Sequence, residues 1–404
     1  MKGIIIAAGP GEALKPITTA IPKPMIPIVG KPLIQYAIER LHLNGIRDIF
    51  IVIKKGQTAI PDYFENGEHL GVTINYIEQM HPGLDGSILS IKSSIREKEK
   101  FILSHCAIIA DHKLLTRTLN AVDNAGADMG MAIALQSEVQ DFGLVNLDDD
   151  GYISEIIPDG EKGEGHYVVA GTFILTSKIF EYLESGIAFN QCFNQMIQEG
   201  FRIAAGIWTE DWVDVGYPWD ILRASTFLLS SLTKSIISKD VNIEHNVEIK
   251  GPVVIESGVE ILNGSIIKGP VFLGKNAYVG NNTLIRDCAV IESYAKIGMG
   301  VEIKNSVVME GASIARLSYV GSSIIGPKST LHAGAMTINS TRPSKPIMAT
   351  IGGQEVLIPL EKFGAVVGPN SHVGEHSSLS PGTFVDEDTI IGPNQAINGR
   401  APKG

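Results

Sequence analysis

The chain opens Met1-Lys-Gly-Ile-Ile-Ile-Ala-Ala-Gly-Pro-Gly-Glu-Ala-Leu-Lys-Pro-Ile-Thr18 and soon continues Ile21-Pro-Lys-Pro-Met-Ile-Pro-Ile28. Gly3 to Ala8 is a short apolar run rich in isoleucine, the pattern of a parallel strand buried on both faces. It runs into Gly9-Pro10-Gly11, where two positions without a Cβ let the backbone approach a ligand. A glycine-rich turn at the C-terminal end of a parallel strand is where α/β folds offer free N–H groups to phosphates. Prolines on either side of Lys23 stiffen the segment carrying this cation, so that it can be aimed at a phosphate. Taken alone, the glycines are equally compatible with a steric role in an ordinary strand-to-helix turn.

Beyond this opening, strand and helix patterns alternate. Lys31 to Leu41 has helical apolar spacing, and Asp48 to Ile53, Val72 to Ile77, Phe101 to Ala110 and Met129 to Leu135 read as buried strands. The expectation is a Rossmann-like α/β domain with a mostly parallel sheet covered on both faces. A helix from Leu222 to Ile237 leads into a different texture. Ile243, Ile249, Ile255, Ile261, Ile267, Leu273, Val279, Ile285, Ile291, Ile297 and Ile303 recur every sixth residue, and the period resumes from Val367 to Ile397. Such spacing marks a parallel β-helix of hexapeptide repeats. The expected domains are therefore 1–234 and 235–404. Leu331 to Phe363 breaks the period and implies a protruding loop or extra strands. The open coil ends and flat sides imply a homo-oligomer, a trimer or a multiple of it.

At 404 residues, 44% hydrophobic and 19% charged, the chain has the composition of a globular protein too long for one core. A net charge of −11 argues against nucleic acid or an anionic membrane surface as the main partner. Cys106, Cys192 and Cys288 are widely spaced and read as thiols in a reducing compartment. With no leader and no bilayer-spanning stretch read in the sequence, the expected location is cytoplasmic.

The motif Ala7-Ala8-Gly9-x-Gly11, with Leu14, Pro16, Thr18 and then Pro22-Lys23-Pro24-Met25-x-Pro27, resembles the sugar-1-phosphate nucleotidyltransferases. These make nucleoside-diphosphate sugars from a sugar 1-phosphate and a nucleoside triphosphate. One pair departs: the family's Thr-Arg is Glu12-Ala13, so the arginine that grips the triphosphate is absent. The resemblance implies that Ala8, Gly9 and Gly11 hold the nucleotide and that Lys23 is a catalytic cation, with Lys15 standing in for the arginine. It further implies that Gln79 and Gly83 read the nucleobase, although a plain surface loop fits the same stretch. Asp111 and Asp214 would be the two Mg²⁺ ligands. A helix cap is the alternative for Asp111, and a solvated acidic face with Glu210, Asp211 and Asp220 the alternative for Asp214. Gly143, Glu161 and Ala170 would contact the sugar, with Lys162 on a phosphate. An exposed turn is the competing reading of Glu161-Lys162, because Pro158-Asp159-Gly160 occupies the family's Glu-Lys-Pro position.

The C-terminal half is similar to the acetyltransferase domain of archaeal bifunctional sugar-1-phosphate nucleotidylyltransferase/acetyltransferase proteins, which adds a left-handed sense to the expected β-helix. Leu317-Ser318-Tyr319, Asn339 and Lys362-Phe363-Gly364-Ala365 match, and acetyl-CoA would bind between coils. Arg316 occupies the position of the family's histidine, and a guanidinium cannot serve as the general base. Two functions are therefore expected in competition. One is a family member that binds nucleoside triphosphate or nucleotide sugar with Mg²⁺ but catalyses weakly, acting with an active paralogue. The other is a fully active thymidylyl- or uridylyl-type enzyme, with or without acetyl transfer. An acyltransferase alone is the third and weakest reading.

Overall fold

The computed structural model describes residues 1–135, 143–157 and 167–403. Two compact units divide the chain. One holds Met1–Pro10, Lys23–Met25 and Leu33–Asp214; the other holds Gly11–Pro22, Ile26–Pro32 and Val215–Gly404. The segments 11–22, 26–32 and 215–234, expected with the N-terminal domain, thus belong to the unit that carries the repeats.

In the first unit, strand Lys2–Ile6 lies inside a mixed sheet. It pairs in parallel with Asp48–Ile53, Gly3 opposite Ile49, and with Lys100–His105, Ile6 opposite His105. Thr73–Glu78 extends the parallel side. Tyr167–Thr176 runs antiparallel to Lys100–His105 and to Met129–Leu135, and Ile203–Trp208 pairs in parallel with the latter. Ile4 and Ile5 are both fully buried, which explains why the run is apolar without alternation. Helix Leu33–Leu43 lies so close that a Cβ on Gly3 would sit 2.8 Å from Leu41 Cδ1.

The run from Phe101 to Ala110 is not one strand. The sheet strand ends at His105, the chain turns through Cys106 and Ala107, and Ile108–Ile109 pairs antiparallel with Val213–Asp214. The clamp on this corner is Arg40, a buried side chain from helix Leu33–Leu43. Its guanidinium donates to the Ser104 hydroxyl and to the Ile108 carbonyl, each at 3.0 Å. Burial pulls its pKa down to about 10, so it stays charged at neutral pH.

The second unit is a parallel β-helix. Three parallel sheets of nine, eight and eight short strands form its faces. Each coil lies in register on the next, as Ile255 on Leu273, Ile261 on Val279 and Ile267 on Ile285. Those six aliphatics are almost entirely buried, as the six-residue period requires, whereas Ile243 in the first coil is 39% exposed because no coil precedes it. The interruption contains an antiparallel hairpin, Met348–Ile351 with Gln354–Leu357. Stacking then resumes, Ile324 meeting Val366 and Ile325 meeting Val367. Among the described residues, no helix is long and apolar enough to cross a membrane.

Candidate functional site

A cavity of about 730 Å³ opens in the first unit where four parallel strands end. This is the edge at which α/β sheets bind ligands, because each strand delivers its loop there. Strand Lys2–Ile6 supplies Ile6 and, beyond it, Ala8, Gly9 and Pro10. Asp48–Ile53 is followed by Lys54 and Lys55, and Thr73–Glu78 by the loop from Gln79 to Leu84. Lys100–His105 contributes His105 and then Cys106 and Ala107. Lys23 and Asp214 complete the wall.

The loop after Thr73–Glu78 is tightly fixed. Gln79 Nε2 donates to the Gly83 carbonyl and the Ser87 hydroxyl, both at 2.9 Å, and Met80 N–H donates to Ser90 Oγ at 2.9 Å. That leaves Gln79 Oε1 as an acceptor at the cavity wall. Gly86 is required here, since a Cβ would sit 2.1 Å from the His81 carbonyl oxygen. Asp85, directly after this loop, lies outside this wall. Its Oδ1 accepts from Phe189 N–H at 3.1 Å, at the start of helix Phe189–Gln198.

His105 lies within the electrostatic reach of Asp214 and Lys23. Burial holds the His105 imidazole below its usual range; the Asp214 charge pulls it back up, and the Lys23 charge pushes it down. His105 Nε2 and Asp214 Oδ1 are both buried without a hydrogen-bond partner among the described residues. Burial pushes the Cys106 thiol up to about 11, and a soft sulfur is in any case a poor ligand for a hard cation such as Mg²⁺.

The structure does not bring Asp111 to Asp214. Antiparallel pairing sets Asp214 opposite Ile108 and Val213 opposite Ile109, so the chain carries Asp111 away from Asp214 along the ribbon. Asp111 Oδ1 instead accepts from Lys113 N–H at 2.9 Å and lies 3.3 Å from His112 Nδ1, at the start of helix Lys113–Ala125. This is the helix-capping alternative. The strand end that enters the cavity beside Asp214 carries Cys106 and the methyl group of Ala107. Among the described residues, no three His, Cys, Asp or Glu side chains converge in a metal-binding group. Among the described residues the cavity wall offers Mg²⁺ one carboxylate, Asp214, where the resemblance implies a pair, so most of an octahedral shell would have to come from substrate phosphates and water.

The remaining expected residues are dispersed. Gly11 and Lys15 belong to the second unit, where the Lys15 ammonium pairs with Glu12 at 2.6 Å. Ala170 is fully buried in a cluster with Leu114, Ala134 and Trp208, so its methyl group faces the core and not a sugar. Gly143 lies outside the cavity wall, its carbonyl accepting from Val169 N–H at 3.2 Å. Glu161 and Lys162 lie outside the described residues, as does the 158–160 segment before them. In the β-helix, Asn339 is buried and donates to the Ser322 hydroxyl at 3.1 Å, and its carbonyl accepts from Phe363 N–H beside the exposed Lys362. Tyr319 begins the strand Tyr319–Gly321, at the end of the face opposite Asn339. Arg316 is exposed on the turn before that strand. Asn339 and Lys362 are thus brought together, while Arg316 sits at the preceding corner.

Lys54, Lys55, His105 and Ala107 are cavity residues that the sequence reading did not assign. For the lysines a signal existed: Lys54-Lys55-Gly56 follows directly on the second buried parallel strand.

An α/β unit with a cation-lined cavity at its strand ends, followed by a hexapeptide β-helix, defines a two-part architecture with known relatives. Residues 2–231 match the Nucleotidyl transferase family, and residues 267–363 match the GMPPB C-terminal domain. The chain belongs to the sugar-1-phosphate nucleotidyltransferase family. It is 32% identical over 406 residues to the Bifunctional sugar-1-phosphate nucleotidylyltransferase/acetyltransferase of Sulfurisphaera tokodaii, covering 98% of this chain and 97% of that protein. It is 35% identical over 408 residues to the Bifunctional protein GlmU of Methanococcus maripaludis, covering 98% and 95%. Among solved structures, UDP-glucose pyrophosphorylase from Acinetobacter baumannii superposes with a TM-score of 0.50 at 20% identity, covering 56% of this chain and 92% of that one. That likeness concerns the fold.

Proposed function

We propose that this chain is a nucleotide-binding member of its family, taking a nucleotide sugar or a nucleoside triphosphate, whose own nucleotidyl transfer is weak or absent. The observation that carries the reading is Asp214 standing in the cavity with Ala107 and Cys106 where a second carboxylate would be needed. Transfer of a nucleotidyl group to a sugar phosphate relies on positioning and on neutralising charge at the α-phosphate. A bound Mg²⁺ would supply that neutralisation, and a single carboxylate holds it less firmly than the pair the resemblance implies. Glu12-Ala13 in place of Thr-Arg removes a further cation, and Lys15 is engaged by Glu12. What the cavity retains is recognition. Gly9 and Ala8 bring backbone to the ligand, Lys23 offers a phosphate contact, and Gln79 Oε1 can accept a ring N–H from a base. The β-helix supports self-association in trimers or multiples of three. With arginine at 316, it binds acetyl-CoA, if at all, without the family's general base.

The alternative, an active thymidylyl- or uridylyl-type enzyme, is favoured by the near-complete alignment to proteins named bifunctional. The deciding experiment measures pyrophosphate release with Mg²⁺, the common nucleoside triphosphates and a panel of hexose and amino-hexose 1-phosphates. Nucleotide protection against heat is measured in parallel. No turnover together with protection is the expected result; turnover that disappears in Asp214→Asn would overturn the reading.

A further inference from the structure

Among the described residues the cavity lacks a second carboxylate, yet it is not short of positive charge. Lys54 and Lys55 leave the end of strand Asp48–Ile53 side by side, both exposed, and both line the same cavity as Lys23. The turn they stand on is fixed, because Gly56 N–H donates to Glu78 Oε1 at 3.0 Å. Among the described residues, no ion pair engages Lys23, Lys54 or Lys55. Among the described residues three ammonium groups face one carboxylate, so this part of the wall has an excess of two positive charges.

That excess selects among phosphate ligands. The diphosphate of a nucleotide sugar has no terminal phosphate and carries one charge on each phosphate. A triphosphate adds a doubly ionising terminal group, roughly −1.5 to −2 at neutral pH. Without a metal to absorb it, a triphosphate would leave the cavity with uncompensated negative charge beside Asp214.

We propose that this cavity binds a nucleoside diphosphate sugar without a divalent cation, its diphosphate neutralised by Lys54 and Lys55 together with Lys23. The proposal rests on the nucleotide-binding reading above. It assigns to an exposed lysine pair the charge neutralisation that a metal would otherwise provide. Ammonium groups at an open wall are hydrated and screened, so the binding is salt-sensitive where a metal-bridged complex would be chelator-sensitive.

The test is isothermal titration calorimetry of the full chain with UDP-glucose, dTDP-glucose, GDP-mannose and ADP-glucose, and with UTP, each in MgCl₂ and in EDTA. One nucleotide sugar is expected to bind with a Kd that agrees within about twofold in the two buffers. The double variant Lys54→Ala/Lys55→Ala is expected to weaken it by about 10- to 100-fold, the loss of one or two charge-assisted contacts. Lys54→Arg/Lys55→Arg should keep most of the affinity, which separates charge from folding. Affinity that collapses in EDTA, or a double variant that binds unchanged, overturns the proposal while leaving nucleotide binding intact. No binding of any ligand in either buffer overturns both.

Discussion

Replacing Glu292 by glutamine should make the protein more stable at alkaline pH and leave it nearly unchanged in acid. Glu292 is 3% exposed, and its Oε1 accepts from Gly30 N–H at 3.0 Å. Phe272 covers that backbone so closely that a Cβ on Gly30 would lie 2.5 Å from Phe272 Cζ. Burial pushes the carboxyl up from 4.5 to about 7; the neighbouring Glu256 and Glu310 push the same way, and the Gly30 N–H opposes them. A folded pKa above the unfolded one means the folded protein holds the proton more tightly. The stabilisation is therefore complete below about pH 4.5 and is lost as pH rises through about 7. The gap corresponds to about 3 kcal/mol. Glutamine keeps an acceptor for Gly30 and cannot ionise, so Glu292→Gln should gain up to about 3 kcal/mol near pH 8 and little near pH 4. Chemical denaturation of both proteins across this range is the assay. Stability curves that run parallel across the range would refute the reasoning, because the carboxyl would then titrate alike in folded and unfolded chains.

Two further variants probe the cavity's corner. Ala107→Asp places a carboxylate in the cavity with Asp214; the variant should lose stability in EDTA, recover it in Mg²⁺, and raise Mg²⁺-dependent pyrophosphate release by on the order of 10²-fold, whereas melting curves insensitive to Mg²⁺ would show that the two side chains do not converge. Arg40→Met removes both 3.0 Å bonds and leaves the Ile108 carbonyl without its donor, so a loss of about 2–4 kcal/mol is expected by thermal or chemical unfolding, and a change within about 0.5 kcal/mol would argue against the clamp.

The hexapeptide period could be read from the sequence because each sixth side chain enters the coil interior, where only an aliphatic fits; the pattern is the packing itself. The opening strand was legible for the same reason, its isoleucines being buried on both sides. The corner at Cys106 and Ala107 was not. Phe101 to Ala110 is apolar throughout, and apolar periodicity cannot register that the chain leaves one sheet for another while staying buried. The residue that fixes the departure, Arg40, lies more than sixty positions earlier. The resemblance puts Asp111 in the metal role, whereas its local bond to Lys113 N–H makes it a cap. Lys54-Lys55-Gly56 has the composition of a solvated turn, and its one signal, its place at the end of a buried parallel strand, gains meaning only when four strand ends converge in space.

The β-helix also has a mechanical consequence. Its coils are one continuous thread, and an end coil is held from one side only, so a chain pulled by the two ends of this unit should unwind coil by coil from the outside. An ordinary coil, such as the one from Val253 to the residue it meets at Val271, would release about 60 Å of thread at full extension. The turn that carries the hairpin, from Ile324 to its partner Val366, would release about 140 Å. A force trace of this unit would therefore show a series of nearly equal short steps with a single long one among them, and the position of that long step would report how many coils had already come off.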